Sequence, residues 1–324
     1  MKKLTRRHVL GTASAVAGAM AFRGYAFAKA SQPSTPVSFA VPAGACDTHT
    51  HIFGDPAKFP MWSGRVYTPE AALPDEMRAL HTALHMQRVV IVTPSIYGTD
   101  NAATLYGIKA YGKGARGVAV IDGKITDGEL DAMGRAGIKG IRINLATVNQ
   151  TDSSVGRKRF QEAVDRVKGR GWHIQMYVAA SIVPGIKDLI AASPVPVVFD
   201  HFGGVETAKG MQQPGWPELL ELVKSGKAWV KMSGAYRASM KGPEYADLVP
   251  YAKALIAANA DRLVWGSDWP HPNSTPPPGH KATELNPVWH FDDGQLLNLV
   301  ATWAPDADVR KKILVDNPAR LYGF

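Results

Sequence analysis

Two histidines separated by one residue, in Asp47-Thr48-His49-Thr50-His51, close a short apolar run near the start of the chain. Side chains two apart on an extended strand project to the same side, so these imidazoles are aimed at one point. Converging neutral imidazoles hold a metal or polarise a carbonyl, and neither task belongs in an apolar core. At the far end, Trp265-Gly266-Ser267-Asp268-Trp269-Pro270-His271 brings a carboxylate to the close of a second β-like run. If the two strand ends meet, they form an active site. His-x-His alone is a weak signal. Followed by a loop rich in Gly, Pro and aromatics, and matched by Asp268, it is a stronger one.

By the same alternation Asp47 shares the face of His49 and His51 and stays open as an acidic ligand. Cys46 is the only cysteine, so no intramolecular disulfide can form. Among apolar neighbours it reads as a small buried hydrophobe rather than a nucleophile.

Groups so far apart in sequence need a scaffold that joins them. Short apolar, β-branched runs recur at 45–49, 88–94, 115–121, 138–145, 172–178, 195–201, 228–233 and 263–268. Pro74-Asp75-Glu76 opens a helix with Leu80 and Leu84 one turn apart on one face. Further helical patterns lie at 100–111, 127–135, 154–170, 184–192, 217–224, 244–258, 293–303 and 306–315. This alternation predicts βα units on a parallel sheet, and the spacing predicts a single (β/α)8 barrel of the α/β class. A doubly wound open sheet would carry a Gly-rich phosphate turn after its first strand, where this chain has His-x-His.

In a barrel, catalytic groups gather at the C-terminal ends of the strands. His49 and His51 end the first, Arg142 lies in the fourth and Tyr177 closes the fifth. His201 closes the sixth in Phe199-Asp200-His201-Phe202-Gly203-Gly204, Arg237 follows the seventh, and Asp268 ends the eighth. Two long segments, 52–73 and 270–291, follow strands one and eight. They adjoin in a closed barrel and are expected to fold over the C-terminal mouth as a lid.

Residues 1–28 read as a twin-arginine-type signal peptide. Lys2, Lys3, Arg6 and Arg7 form a basic start, and the Ala/Gly-rich run that follows is shorter than the ~20 apolar residues of a comfortable span. Ala26-Phe27-Ala28 offers a small-x-small cleavage site, and Thr5-Arg6-Arg7-His8-Val9-Leu10 resembles a twin-arginine export string. A periplasmic location and the Tat export machinery as a partner follow as expectations, with an uncleaved anchor as the alternative. Residues 29–44 are a leader and 45–324 one barrel domain. The formal charge of +9, from 37 Lys/Arg and 28 Asp/Glu, includes five basic residues in 1–28; without them 32 face 28, a formal +4. That is too mild for a nucleic-acid footprint and compatible with an anionic small substrate. No later segment is apolar and long enough for a membrane span.

The His49-x-His51 pair, the Phe199-Asp200-His201 strand end, the segment around Asp268 and the terminal Asn317-Pro318-Ala319-Arg320-Leu321-Tyr322-Gly323-Phe324 together resemble the amidohydrolase superfamily. The string from His51 through Phe53-Gly54, Phe59-Pro60 and Arg65-x-Tyr67-x-Pro69 is similar to its 2-pyrone-4,6-dicarboxylate lactonase-like branch. The resemblance implies a hydrolase that opens the lactone ring of an anionic small molecule, whether a pyrone, a muconolactone or a sugar-acid lactone. Asp268 would be the general base. His49, His51 and His201 would surround the lactone carbonyl, and Arg142 would pair a substrate carboxylate with help from Ser95, Tyr67, Tyr177 and Arg237.

Those roles suit the chemistry, which needs a base for water, an electrophile for the carbonyl and a cationic clamp for orientation. The resemblance also implies further arginines soon after strand four and just past the strand-six histidine. This chain has Val148 and Gly204 there. A second carboxylate would lose charge-assisted contacts worth about 1.5–3 kcal/mol each, so a substrate with one carboxylate, a sulfonate or polyol hydroxyls is expected. Binuclear relatives carry a lysine at strand four and a histidine at strand five, where this chain has Arg142 and Tyr177. No cofactor is the favoured expectation, since a nearby guanidinium opposes a cation. The alternative is one Zn²⁺ or Mn²⁺ on His49, His51, His201 and Asp268.

The rival readings are a mononuclear metal-dependent hydrolase or decarboxylase, a sugar-lactone isomerase, and a periplasmic small-molecule binding protein without turnover.

Overall fold

The structure is a computed structural model that describes residues 30–324, so the signal-peptide reading of 1–28 lies outside the described residues. Its eight strands are β1 (Cys46–Thr50), β2 (Arg88–Val92), β3 (Ala115–Ala119), β4 (Ile138–Asn144), β5 (His173–Tyr177), β6 (Val197–Phe199), β7 (Ala228–Ser233) and β8 (Leu263–Gly266). The intervening helices are α1 (Pro74–Ala83), α2 (Ala102–Tyr111), α3 (Asp127–Arg135), α4 (Ser153–Val167), α5 (Val183–Ala192), α6 (Trp216–Lys224), α7 (Ala235–Ala238) and α8 (Val249–Asn259). After β8 come α9 (Asp293–Trp303), α10 (Ala307–Lys311) and α11 (Asn317–Tyr322).

The strands pair in parallel in chain order, β1 to β8. The ends are joined by two backbone hydrogen bonds, from Asp268 N–H to the His49 carbonyl and from His51 N–H to the Trp269 carbonyl, each 2.8 Å. A parallel bridge between Thr50 and Trp269 completes the seam, and the expected (β/α)8 barrel is the architecture found.

Because helices cover the outside and side chains fill the inside, the strands bury both faces. Val89 and Ile91 join the main core, whereas Cys46, Val90, Val92 and Val118 pack with Tyr322 from α11. Leu321 also touches Val198, Trp229 and Val264 from the opposite wall, so the end of the chain plugs the lower mouth. Cys46 is thus a buried hydrophobe, and burial, its largest influence, raises its thiol well above the ordinary value. Among the described residues no helix is long and apolar enough to cross a membrane.

One expectation from strand alternation fails. The register of β1 against β2 shifts between Asp47 and Thr50, and this irregularity breaks the period of two. The Asp47 carboxylate accepts from the backbone N–H groups of His49 and Ser267 at 3.1 and 3.0 Å, and meets His81 Nε2 of α1 at 3.2 Å. It is a brace for the β8–β1 seam and is withdrawn as a ligand.

Residues 30–38 run across the outside. Ser34 and Thr35 hydrogen-bond the Asp292 carboxylate at the start of α9, and the Trp269 indole N–H donates to the Ser31 carbonyl at 3.0 Å. Above the barrel, the loops after β1 and β8 pair with each other: Asn286 N–H donates to the Thr68 carbonyl at 2.7 Å, and Val288 N–H to Glu70 Oε2 at 2.9 Å.

Candidate active site

At the upper mouth the chain leaves β6 and β8 through sharp turns. His201, Phe202, Asp268 and His271 all take left-handed backbone angles, with φ of 48°, 54°, 65° and 65°. Non-glycine residues there carry strain, which the surrounding structure must hold. These turns explain why β6 and β8 stop short of the expected 201 and 268: pairing ends where the backbone swings its functional side chain inward.

The seam bonds bring His49 and His51 beside Asp268. Asp268 Oδ1 lies 3.6 Å from His49 Nε2, 3.5 Å from His51 Nε2 and 3.9 Å from His201 Nε2. Its other oxygen, Oδ2, accepts from Tyr236 OH at 2.7 Å and from Arg237 Nε at 2.5 Å. Burial alone would raise this carboxyl. The Arg237 guanidinium paired with Oδ2, the largest opposing influence, outweighs it and holds Asp268 well below the usual range, so it is ionised. Burial also lowers His49, His51 and His201, the last to about 4, so the imidazoles are neutral at neutral pH.

Each imidazole is fixed through its other nitrogen. His51 Nδ1 donates to the Val92 carbonyl at 2.8 Å, His201 Nδ1 meets Ser233 Oγ at 3.0 Å, and His49 Nδ1 lies 3.2 Å from Asp200 Oδ1. With Nδ1–H donated to the Val92 carbonyl, neutral His51 presents a bare Nε2 lone pair to Asp268, whereas His49 Nδ1 also lies 3.3 Å from Lys231 Nζ and His201 Nδ1 meets a hydroxyl, so both can carry their proton on Nε2. Asp268 Oδ1 and His49 Nε2 are buried without a hydrogen-bond partner. An ionised carboxylate oxygen and imidazole lone pairs repel unless a ring N–H or a positive centre lies among them.

His49, His201 and Asp268 offer ligand atoms within 4.8 Å of one another. Three imidazoles backed by carbonyl, hydroxyl or carboxylate partners are the usual donor set and outer shell of a single divalent cation. The residues fit such an ion. The guanidinium expected to oppose it has its charge offset by a carboxylate: Arg142 Nε donates to Asp200 Oδ2 at 3.0 Å.

A pocket of about 270 Å³ opens above this cluster, lined by His51, Tyr67, Ser95, Arg142, Tyr177, His201, Arg237 and Asp268 among others. The structure therefore gathers all nine candidate residues, with His49 buried just beneath the floor. Arg142 sits over the Tyr177 ring at 5.0 Å, and its terminal nitrogens have no hydrogen-bond partner among the described residues. Arg237 pairs with Asp268 and lies over the Tyr236 and Trp289 rings. It is an ion-pair partner of the carboxylate as well as part of the pocket wall. Desolvation raises the Tyr67 hydroxyl to about 12, so it stays a neutral donor.

Two groups were not singled out by the sequence. Below His49, Lys231 is fully buried in β7, with Nζ 2.8 Å from the Thr48 carbonyl, 2.7 Å from Gln175 Oε1 and 3.7 Å from Asp200 Oδ1. Gln175 Nε2 donates to Asp200 Oδ2 at 3.0 Å, so Asp200 ties β4, β5, β7 and His49 together. Behind Asp268, Tyr236 OH meets His271 Nδ1 at 3.1 Å, and His271 Nε2 meets Asp293 Oδ2 at 3.2 Å. Burial raises the Asp293 carboxyl, which suits a single proton shared across that contact. A lysine inside the apolar run of 228–233 was the available signal.

The comparisons with known proteins agree with this geometry. The chain is 38% identical over 290 residues to 4-sulfomuconolactone hydrolase of Rhizobium radiobacter, covering 90% of this chain and 93% of that one. It is 35% identical over 299 residues to 2-pyrone-4,6-dicarboxylate hydrolase of Comamonas testosteroni, with the same coverage of 90% and 93%. A solved structure of a probable 2-pyrone-4,6-dicarboxylic acid hydrolase from Acinetobacter baumannii, with citric acid bound, matches at a TM-score of 0.71 and 25% identity over 87% of this chain and all of that one. The amidohydrolase family profile matches residues 46–324. The chain belongs to the amidohydrolase family.

Proposed function

We propose that this protein is a lactonase that opens the ring of an anionic small-molecule lactone with water. The observation that carries the reading is Asp268 Oδ1, an ionised and unpartnered oxygen facing three neutral imidazoles on the floor of a pocket walled by two guanidiniums. The names of the relatives, hydrolases of sulfomuconolactone and of a pyrone dicarboxylate, support the same substrate class.

The terminal nitrogens of Arg142 bind a substrate carboxylate in the geometry a guanidinium favours. This sets the lactone carbonyl against the imidazole floor, where an Nε2–H of His49 or His201 stabilises the charge developing on its oxygen. Water attacks the carbonyl carbon and gives its proton to Asp268 Oδ1. The ring C–O bond then breaks, and that proton passes to the departing ring oxygen. Tyr236 and Arg237 keep Oδ2 occupied, so Oδ1 is the oxygen that works. The loops after β1 and β8 supply Tyr67, Pro272 and Ser274 to the wall and limit solvent. A divalent ion such as Zn²⁺ or Mn²⁺ held by His49, His51, His201 and Asp268 would polarise the carbonyl and acidify water.

A lactone panel followed by pH indicator, with and without chelator, tests the proposal. Saturable binding without turnover would make this a binding protein. Reaction in ¹⁸O-labelled water that yields a new lactone without label would make it an isomerase. Export is proposed on the sequence of 1–28 alone: fusing it to a reporter that reaches the periplasm only when folded, with Arg6 and Arg7 each changed to Lys as control, decides it.

A further inference from the structure

Beyond Arg237 the pocket widens. Thr147, Tyr177, His201, Arg237 and Ser274 line both the inner pocket and an outer cleft of about 2000 Å³ measured out to open solvent. The outer cleft has a different chemistry. Apart from the shared Arg237, its charged side chains are Glu206 and Lys209, which pair with each other at 2.6 Å. Its remaining wall is apolar or neutral: Val148 and Met240 are 59% and 95% exposed, Trp289 and Pro276 stand nearby, and Asn149 and Thr275 add uncharged polar groups. At Gly204, with φ of 71°, an added Cβ would run into the Val178 carbonyl oxygen. The backbone there leaves no room for any side chain, let alone a cationic one.

We propose that the outer cleft is a subsite for an uncharged arm of the substrate. Resting on the lactonase reading, this makes the substrate class a lactone with one anionic group, held at the inner pocket, and an alkyl, aryl or hydroxylated substituent reaching toward Val148 and Met240. A second carboxylate in this cleft would find its one lysine already paired with Glu206, whereas an apolar arm would cover Val148 and Met240. The arm runs outward because the inner pocket, about 270 Å³ even when measured out to open solvent, has little room beyond the lactone ring and its anionic group.

The test is a series of monocarboxylate lactones bearing hydrogen, propyl or phenyl at one ring position, with a dicarboxylate lactone of the same ring, assayed on the full chain. The arm is expected to raise kcat/KM by about fourfold for each methylene it buries, from ~0.8 kcal/mol per buried CH₂ and 1.36 kcal/mol per factor of ten. Met240→Asp should lower the ratio of propyl to unsubstituted lactone. Val148→Arg should shift preference toward the dicarboxylate by about 13-fold, the lower end of one charge-assisted contact. Titration of the same series into Asp268→Asn reads the arm's effect on Kd without turnover. A flat dependence on the arm in both readouts, or a wild-type preference for the dicarboxylate, overturns the subsite and leaves the lactonase reading standing. An arm effect on Kd with no lactone opened by the wild type keeps the subsite and sinks the lactonase.

Discussion

Replacing Arg142 with methionine separates two things its guanidinium does. Nε is committed to Asp200 Oδ2 at 3.0 Å, while the terminal nitrogens border the pocket. On the substrate side the loss is a charge-assisted contact of about 1.5–3 kcal/mol. At 1.36 kcal/mol per factor of ten this raises KM for a carboxylated lactone by about 13- to 160-fold. The neutral methyl ester of the same lactone should barely change. On the protein side, Asp200 keeps Gln175 Nε2 at 3.0 Å, His49 Nδ1 at 3.2 Å and Lys231 at 3.7 Å. The stability loss should therefore stay below the 3–5 kcal/mol (an order-of-magnitude figure) of stranding a buried charge outright. Initial rates on the acid and ester pair, with thermal melts alongside, measure both effects. Arg142→Lys keeps the charge but not the planar fork, and should restore only part of the discrimination. If Arg142→Met lowers Tm while the acid-to-ester ratio of kcat/KM stays at the wild-type value, Arg142 is only a strut for Asp200 and the clamp argument fails.

Asp268→Asn is nearly isosteric and should keep the fold by circular dichroism while lowering kcat by about 10²- to 10⁴-fold; near-wild-type turnover would remove Asp268 from the base role. Burial holds His173 neutral, with its value pushed down to about 3. Because a free imidazole titrates near 6.5, the unfolded chain binds the extra proton below that pH. The stability is present above about 6.5 and is lost as the pH falls toward the folded value, amounting to roughly 2 kcal/mol between about pH 7 and pH 5. Denaturant melts of His173→Phe should fall by that much less than wild type over the interval, and parallel curves would contradict the linkage. Elemental analysis of protein purified without chelator should find one divalent ion per chain, reduced in His49→Asn. Full activity in metal-free wild type would show that the imidazoles work without it.

Much of the frame could be read from the chain because local signals agree with the fold. The helix at 127–135 stands where expected, since Thr126 and Glu129 form a reciprocal cap at its start. The helix at 293–303 does too, opened by the Asp292 side chain. Candidate site residues were legible because polar groups at the ends of apolar runs have no structural excuse. What escaped was set by three-dimensional register. Strand alternation put Asp47 with the histidines, but the irregular pairing of β1 turned it toward His81. Lys231 and Gln175 look like the wet face of a half-exposed strand, and only a closed barrel with both faces covered makes them an internal brace. The Tyr236–His271–Asp293 chain joins residues from a short helix, a loop and the start of another helix, and no periodicity relates those.

The bonds that close the barrel have a temporal consequence. Asp268 donates its backbone N–H to His49, and His51 donates to Trp269, so the last strand to emerge during synthesis clasps the first. The groups that meet at the site are separated by most of the chain, and such distant contacts form late in folding. A nascent or C-terminally truncated chain that ends before β8 can own seven strands and the helices α1 to α8 yet have no base beside its imidazoles. Competence should therefore arrive all at once, with the final turn of the barrel, and no partly folded form should open a lactone prematurely.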